Sequence, residues 1–237
     1  MKLAAAHARA IALELVRYPA FSLPTLLFPA TLYLVVTSQA GETEATGRLV
    51  GFAAIAVLGV AFFQFGVGIA TDRTRHWERY LRTLPAPPSA RIAARLGAAV
   101  LFGATSAAAV VLAAAGSGAT IAGARWPTFA GALLVGSAPF ALLGIALGYA
   151  VPPRAALPLA NLLYLPLAYA GGLWSGPRHA PHVPPLVPTR PWAELLWASV
   201  GARRPAIAPA LELAAWTALF AVAAVRFYRR DEGERFG

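Results

Sequence analysis

The side chains that could perform chemistry are few and widely spaced. Ser175 with His179-x-x-His182 is the one cluster that offers a nucleophile beside two bases. A serine attacks when a histidine removes its proton and a third group holds that histidine, so this set would make a membrane-embedded hydrolase. Against it, Leu173 stands where a nucleophile loop needs glycine, and no later segment contains a histidine. Two histidines without a nearby carboxylate also make a poor metal site. Solvated loop histidines, with no catalytic role and no metal, are the expectation. Glu212 is the one acid near the interior of an apolar run. At mid-membrane it would cost about 2.5–3.5 kcal/mol and would mark an ion-coupled carrier. It follows Pro209 by only three residues, which places it at a membrane interface. Gln64 and Asn161 are polar residues inside apolar runs. Hydrogen bonding between helices is their ordinary use, and lining a substrate pathway is the functional one.

What is missing is equally informative. A nucleotide phosphate loop, G-x-x-x-x-G-K-[ST], needs a lysine, and the single lysine among the twenty Lys and Arg is Lys2. The chain itself then carries no nucleotide cofactor and no ATPase activity; any nucleotide-driven energy must arrive from another chain. There is no cysteine, which excludes disulfides, thiolate metal sites and cysteine nucleophiles.

The elements that carry these residues are set by hydropathy. Hydrophobic residues are 58% of the chain and charged ones 13%, against roughly 45–50% and about 25% in soluble domains. Most fall in runs of about twenty, the length that crosses a bilayer core of roughly 30 Å. The expected fold is all-α, a polytopic membrane protein with six transmembrane helices near 21–38, 49–70, 91–115, 128–151, 155–174 and 210–225. Pro24 and Pro29 lie in the first, and Gly59, Gly66 and Gly68 give the second a surface for close contact. Gly144-x-x-x-Gly148 in the fourth is read as packing within one subunit. Ahead of the spans, residues 3–18 place Ile11, Leu15 and Tyr18 opposite Lys2, Arg9, Glu14 and Arg17, the pattern of a helix lying on lipid headgroups. Between the last two spans, 175–209 is a proline-rich outer loop. Within it Pro191–Ser199 forms a short helix with an apolar side, too short to span and therefore re-entrant or interfacial.

Charge concentrates at 72–90. Arg73, Arg75, Arg79 and Arg82, with Asp72 and Glu78, require solvent between two spans. Trp77, Tyr80, Leu81 and Leu84 recur at i, i+3, i+4, i+7, while Glu78 and Arg82 pair on the other face, so the loop contains a short amphipathic helix. Pro85 ends it. Such a helix either lies on anionic lipid or docks on a partner. Six spans put both termini on the side of this loop, where fourteen Lys and Arg gather against six on the other side. The positive-inside rule makes that side the cytoplasm. The formal charge of +10 is explained by this topology without nucleic acid.

Together these features resemble the ABC-2 type permease family, the membrane subunits of ATP-binding cassette exporters, over almost the whole chain. The most specific part is Arg79-Tyr-Leu-Arg-Thr-Leu-Pro85-x-Pro-Pro88, followed by Arg91 and Arg95. It is similar to the family's coupling segment, whose helix rests in a groove of the ATPase. Gly171-Gly172-Leu173-Trp174 and Leu186–Leu195 resemble the family's re-entrant outer segment. His76 stands where the family often has glycine, and the outer segment is unusually rich in proline. The resemblance implies a plasma-membrane permease that moves an amphipathic substrate (a drug, lipid or lipid-linked glycan) as a homodimer, or as a heterodimer with a related permease. Its implied ATPase contacts are Trp77, Glu78, Arg79, Tyr80, Leu81, Arg82, Leu84 and Pro85. Its other partner is membrane lipid.

Overall fold

The structure is a computed structural model that describes residues 19–38, 41–74, 88–181 and 187–236, with side chains at 27–38, 41, 44–74, 91–181 and 187–233. The predicted interfacial helix at 3–18 and the eight predicted ATPase contacts, Trp77 to Pro85, lie outside these residues, as does His182. Among the described residues there are helices and turns and no strand. An apolar backbone that leaves water must satisfy its own hydrogen bonds, and the helix does so within one segment.

The helices, in order, are α1 (Pro19–Thr37), α2 (Glu42–Gly59), a π-helical stretch (Val60–Val67), α3 (Gly68–Asp72), α4 (Pro88–Ala114), α5 (Trp126–Ala150), α6 (Pro153–Ala170), α7 (Thr189–Ser199) and α8 (Ala208–Phe236). The chain opens α5 and α6 with Pro127 and Pro153, where the missing N–H has no intrahelical partner to lose. It leaves α4 through a turn in which Gly118 takes φ 73°, a backbone that side chains resist.

Among the described residues four helices are long and apolar enough to cross a membrane: Glu44–Asp72, Arg91–Ala114, Gly123–Ala150 and Ala208–Gly233. They match the spans predicted at 49–70, 91–115, 128–151 and 210–225, the second and third ending one residue early, at Ala114 and Ala150. The two remaining predicted spans coincide with α1 and α6, which differ. The described apolar part of α1 is Leu27–Thr37. In α6 the 18 residues include Arg154, Asn161 and prolines at 153, 158 and 166, which dilute its apolar character.

α2, the π stretch and α3 run on as one continuous pillar, with 83% of its apolar window buried. α1, α4, α5, α6 and α7 pack around it. α8 lies along α5 on the outside, with only 17% of its window buried. Gly144 and Gly148 of α5 face the pillar at Ala61, Gly66 and Ile69; a Cβ at Gly144 would stand 2.0 Å from the Ala61 carbonyl oxygen. The small-residue motif is therefore occupied inside the subunit, as the sequence suggested. Val35, Leu112, Val135, Leu162, Ile207 and Leu211 point outward, as apolar side chains do on a membrane-facing surface.

Candidate functional site

The arginine-rich stretch is flanked by Arg73 on one side and by α4 on the other, and both flanks are held by polar contacts. Arg73 follows the last residue of α3. Its Nη1 donates to Asp231 Oδ1 at 2.7 Å and to the Tyr149 carbonyl at 2.9 Å, and its Nη2 donates to the Val151 carbonyl at 2.6 Å. The two side chains are 11% and 5% exposed. A guanidinium at this place does two things. It satisfies carbonyls that the end of α5 leaves without a helical donor, and its charge suits the negative end of that helix. A buried charge also needs an opposite charge, and Asp231 supplies it from α8.

The returning end is held by the same turn of α8. Arg91 Nη1 donates to Tyr228 Oη at 3.3 Å, and Tyr228 Oη donates to Glu232 Oε1 at 2.7 Å. Tyr149 meets Tyr228 edge to face at 5.0 Å between centroids, and the Arg95 guanidinium lies 5.5 Å from the Tyr149 ring. Tyr228, Asp231 and Glu232 are spaced i, i+3, i+4 and share one face of α8. Sequence reading took Arg73 as a loop charge and Arg91 and Arg95 as the basic start of the third span, and gave Asp231 no role. The spacing of Tyr228, Asp231 and Glu232 on a helix continuing past residue 225 was the signal available.

The opposite end is closed by α7. It has 11 residues, about 16 Å of helix, too short for a bilayer core of roughly 30 Å. Its Trp192 and Trp197 are completely buried. Trp192 stacks on Phe140 at 4.8 Å and donates its indole N–H to the Ala132 carbonyl at 3.2 Å. Thr189 donates to the Leu167 carbonyl at 2.6 Å, which fastens α7 to α6. Arg190 pairs with Glu194 at 2.6 Å and reaches back to the Pro181 carbonyl at 3.2 Å; Arg203 donates to the Pro177 carbonyl at 2.8 Å.

The two predicted pathway residues are not brought together. Gln64 sits inside the π stretch and is buried. Asn161 lies on the outward face of α6 and donates to the Leu157 carbonyl of its own helix at 3.1 Å. Ser175 is half-buried in the turn after α6, His179 is exposed, and Glu212 is half-buried near the start of α8. Among the described residues no group of three His, Cys, Asp or Glu could hold a metal ion.

No family model matches the chain. Over 161 residues it is 23% identical to the protein named "Putative transport permease YvfS" of Bacillus subtilis (strain 168). That stretch spans 65% of this chain and 66% of the relative's length. The chain is thus a helical membrane protein distantly similar to a transport permease.

Proposed function

We propose that this chain is the membrane subunit of an ABC-2 type exporter, driven by ATP and Mg bound to a separate ATPase. The observation that carries this reading is the likeness to a transport permease in a sequence whose only lysine is Lys2. A permease without a phosphate loop takes its energy from an ion gradient or from another chain. Glu212, the acid an ion-coupled carrier would use, stands near the start of α8 rather than at its middle. The loop at 72–90 supplies the means for a second chain to act. Its ends are tied to the helical bundle by Arg73 and Arg91, so a push on the loop reaches α4, α5 and α8.

In this account α1 and α6 complete six spans, and α7 is the re-entrant segment of the outer side. The loop and both termini face the cytoplasm across the plasma membrane. Trp77, Glu78, Arg79, Tyr80, Leu81, Arg82, Leu84 and Pro85 form the ATPase contact. Two permease copies, or this one with a related one, enclose the path of an amphipathic substrate. Asn161, an amide on the outward face of α6, is suited to that shared space, because an amide against hydrocarbon gains by meeting another polar surface.

The test is purification of the tagged chain from its native membranes in mild detergent, followed by an assay of Mg-dependent ATP hydrolysis. A co-purifying ATPase in equal amount is the expected result. A chain that purifies without ATPase or hydrolysis, yet moves solutes along an ion gradient, would overturn the proposal.

A further inference from the structure

We propose that α8 is a brace that positions the arginine-rich loop, and that Asp231 is its key positioning residue. The inference rests on the reading of 72–90 as the ATPase-contacting loop and adds to it the element that sets the loop's place. Three observations lead to it. Arg73, the residue where the loop departs, joins α3, the end of α5 and α8 through one guanidinium, with donor–acceptor distances of 2.6–2.9 Å. Arg91, where the chain returns, bonds to Tyr228, one helical turn from Asp231 on the same face of α8. And α8 has 29 residues, about 43 Å of helix, so it outlasts a bilayer core of roughly 30 Å and can carry this face beyond the hydrocarbon.

Packing alone does not require this arrangement. The apolar part of α8 already lies against α5 through Phe220 and Ala224. A buried ion pair adds little net stability compared with apolar side chains of the same volume. What it adds is a fixed direction: the planar guanidinium holds Asp231 and two carbonyls at set angles. Held in this way, the described end at Arg73 and Thr74 keeps one orientation relative to α8. If Asp231 loses its charge, Arg73 keeps its carbonyls, but α8 holds the departing end only through a weaker, uncharged acceptor or not at all.

The test uses Asp231→Asn, which preserves shape, with Asp231→Ala as a second variant. Because the natural sequence contains no cysteine, Thr74→Cys and Gly233→Cys can carry a spin-label pair across the brace. Thr74 is exposed, and a Cβ at Gly233 meets nothing within 4 Å. In the full chain reconstituted in nanodiscs, the pair should give one narrow distance, and Asp231→Asn should broaden it. In the co-purified complex the same substitution should cut ATPase retention about tenfold, within the range for residues coupled through one network, while the permease stays folded and membrane-inserted. A narrow distance in both Asp231 variants overturns the brace. So does a broadened distance with undiminished ATPase retention, because the contact would then serve packing only. If the unsubstituted chain retains no ATPase, the exporter reading fails by itself, and the spin-label distance alone decides the brace.

Discussion

Trp192 shows how much one side chain can hold in place. It is fully buried, stacks on Phe140 and bonds to the Ala132 carbonyl. Only a glycine fits beneath its ring, since a Cβ at Gly136 would stand 2.1 Å from the indole. Trp192→Ala should cost about 3–5 kcal/mol, the range for removing a large buried aromatic. Trp192→Phe keeps most of the ring and loses the hydrogen bond, a cost of about 0.5–1.5 kcal/mol. Thermal unfolding in detergent should rank the two in that order, and equal losses would mean that the indole N–H carries most of the contact. The sequence allowed a short helix here with an apolar side, but not the depth of Trp192 and Trp197, because what buries them comes from distant segments. Asp231 was harder still. Its partner lies 158 positions away, and a carboxylate among the arginines of a tail looks like a solvated charge until the fold sets Arg73 against it.

At the scale of elements, the close contact of α5 with the pillar depends on glycines whose neighbours are backbone. The Ala61 carbonyl cannot swing aside as a flexible side chain can, so Gly144→Ala must separate the helices. A cost of about 1–3 kcal/mol is expected, the usual result of overpacking. Gly131 is a control in the same helix: a Cβ there meets nothing within 4 Å. Gly131→Ala should be neutral or stabilising by about 0.5–1 kcal/mol, because alanine loses less conformational freedom than glycine in a helix. Melting both variants in one detergent checks the contrast, and a Gly144→Ala protein as stable as Gly131→Ala would remove the contact from the account. This motif was legible because small residues four apart mark a face that must meet something closely. The π stretch was not. A single i→i+5 register depends on how the pillar packs against α5 and α6, and Val60–Val67 reads as an ordinary apolar run.

At the scale of the whole molecule, hydropathy led to the helical class and to six expected spans, of which four correspond to bilayer-length apolar helices among the described residues. It could not measure α6, whose prolines, Arg154 and Asn161 make a helix of span length with weak apolar character. Sidedness can be tested directly, with single cysteines in a chain that has none. A membrane-impermeant thiol reagent should label His179→Cys from outside and Thr74→Cys only after permeabilisation; the reverse pattern would invert the topology. The central claim is that a separate ATPase drives this permease through the 72–90 loop, and Trp77 and Leu81 are its sharpest point. A helix held by lipid alone depends on summed charge, worth about 1 kcal/mol per arginine, whereas one seated in a protein groove depends on buried aromatic anchors worth about 2 kcal/mol or more each. The decisive measurement is ATPase co-purification and ATP hydrolysis for the Trp77→Ala, Leu81→Ala double variant beside the unsubstituted chain. Loss of both, with normal membrane insertion, is the predicted result; wild-type levels of both would contradict the account.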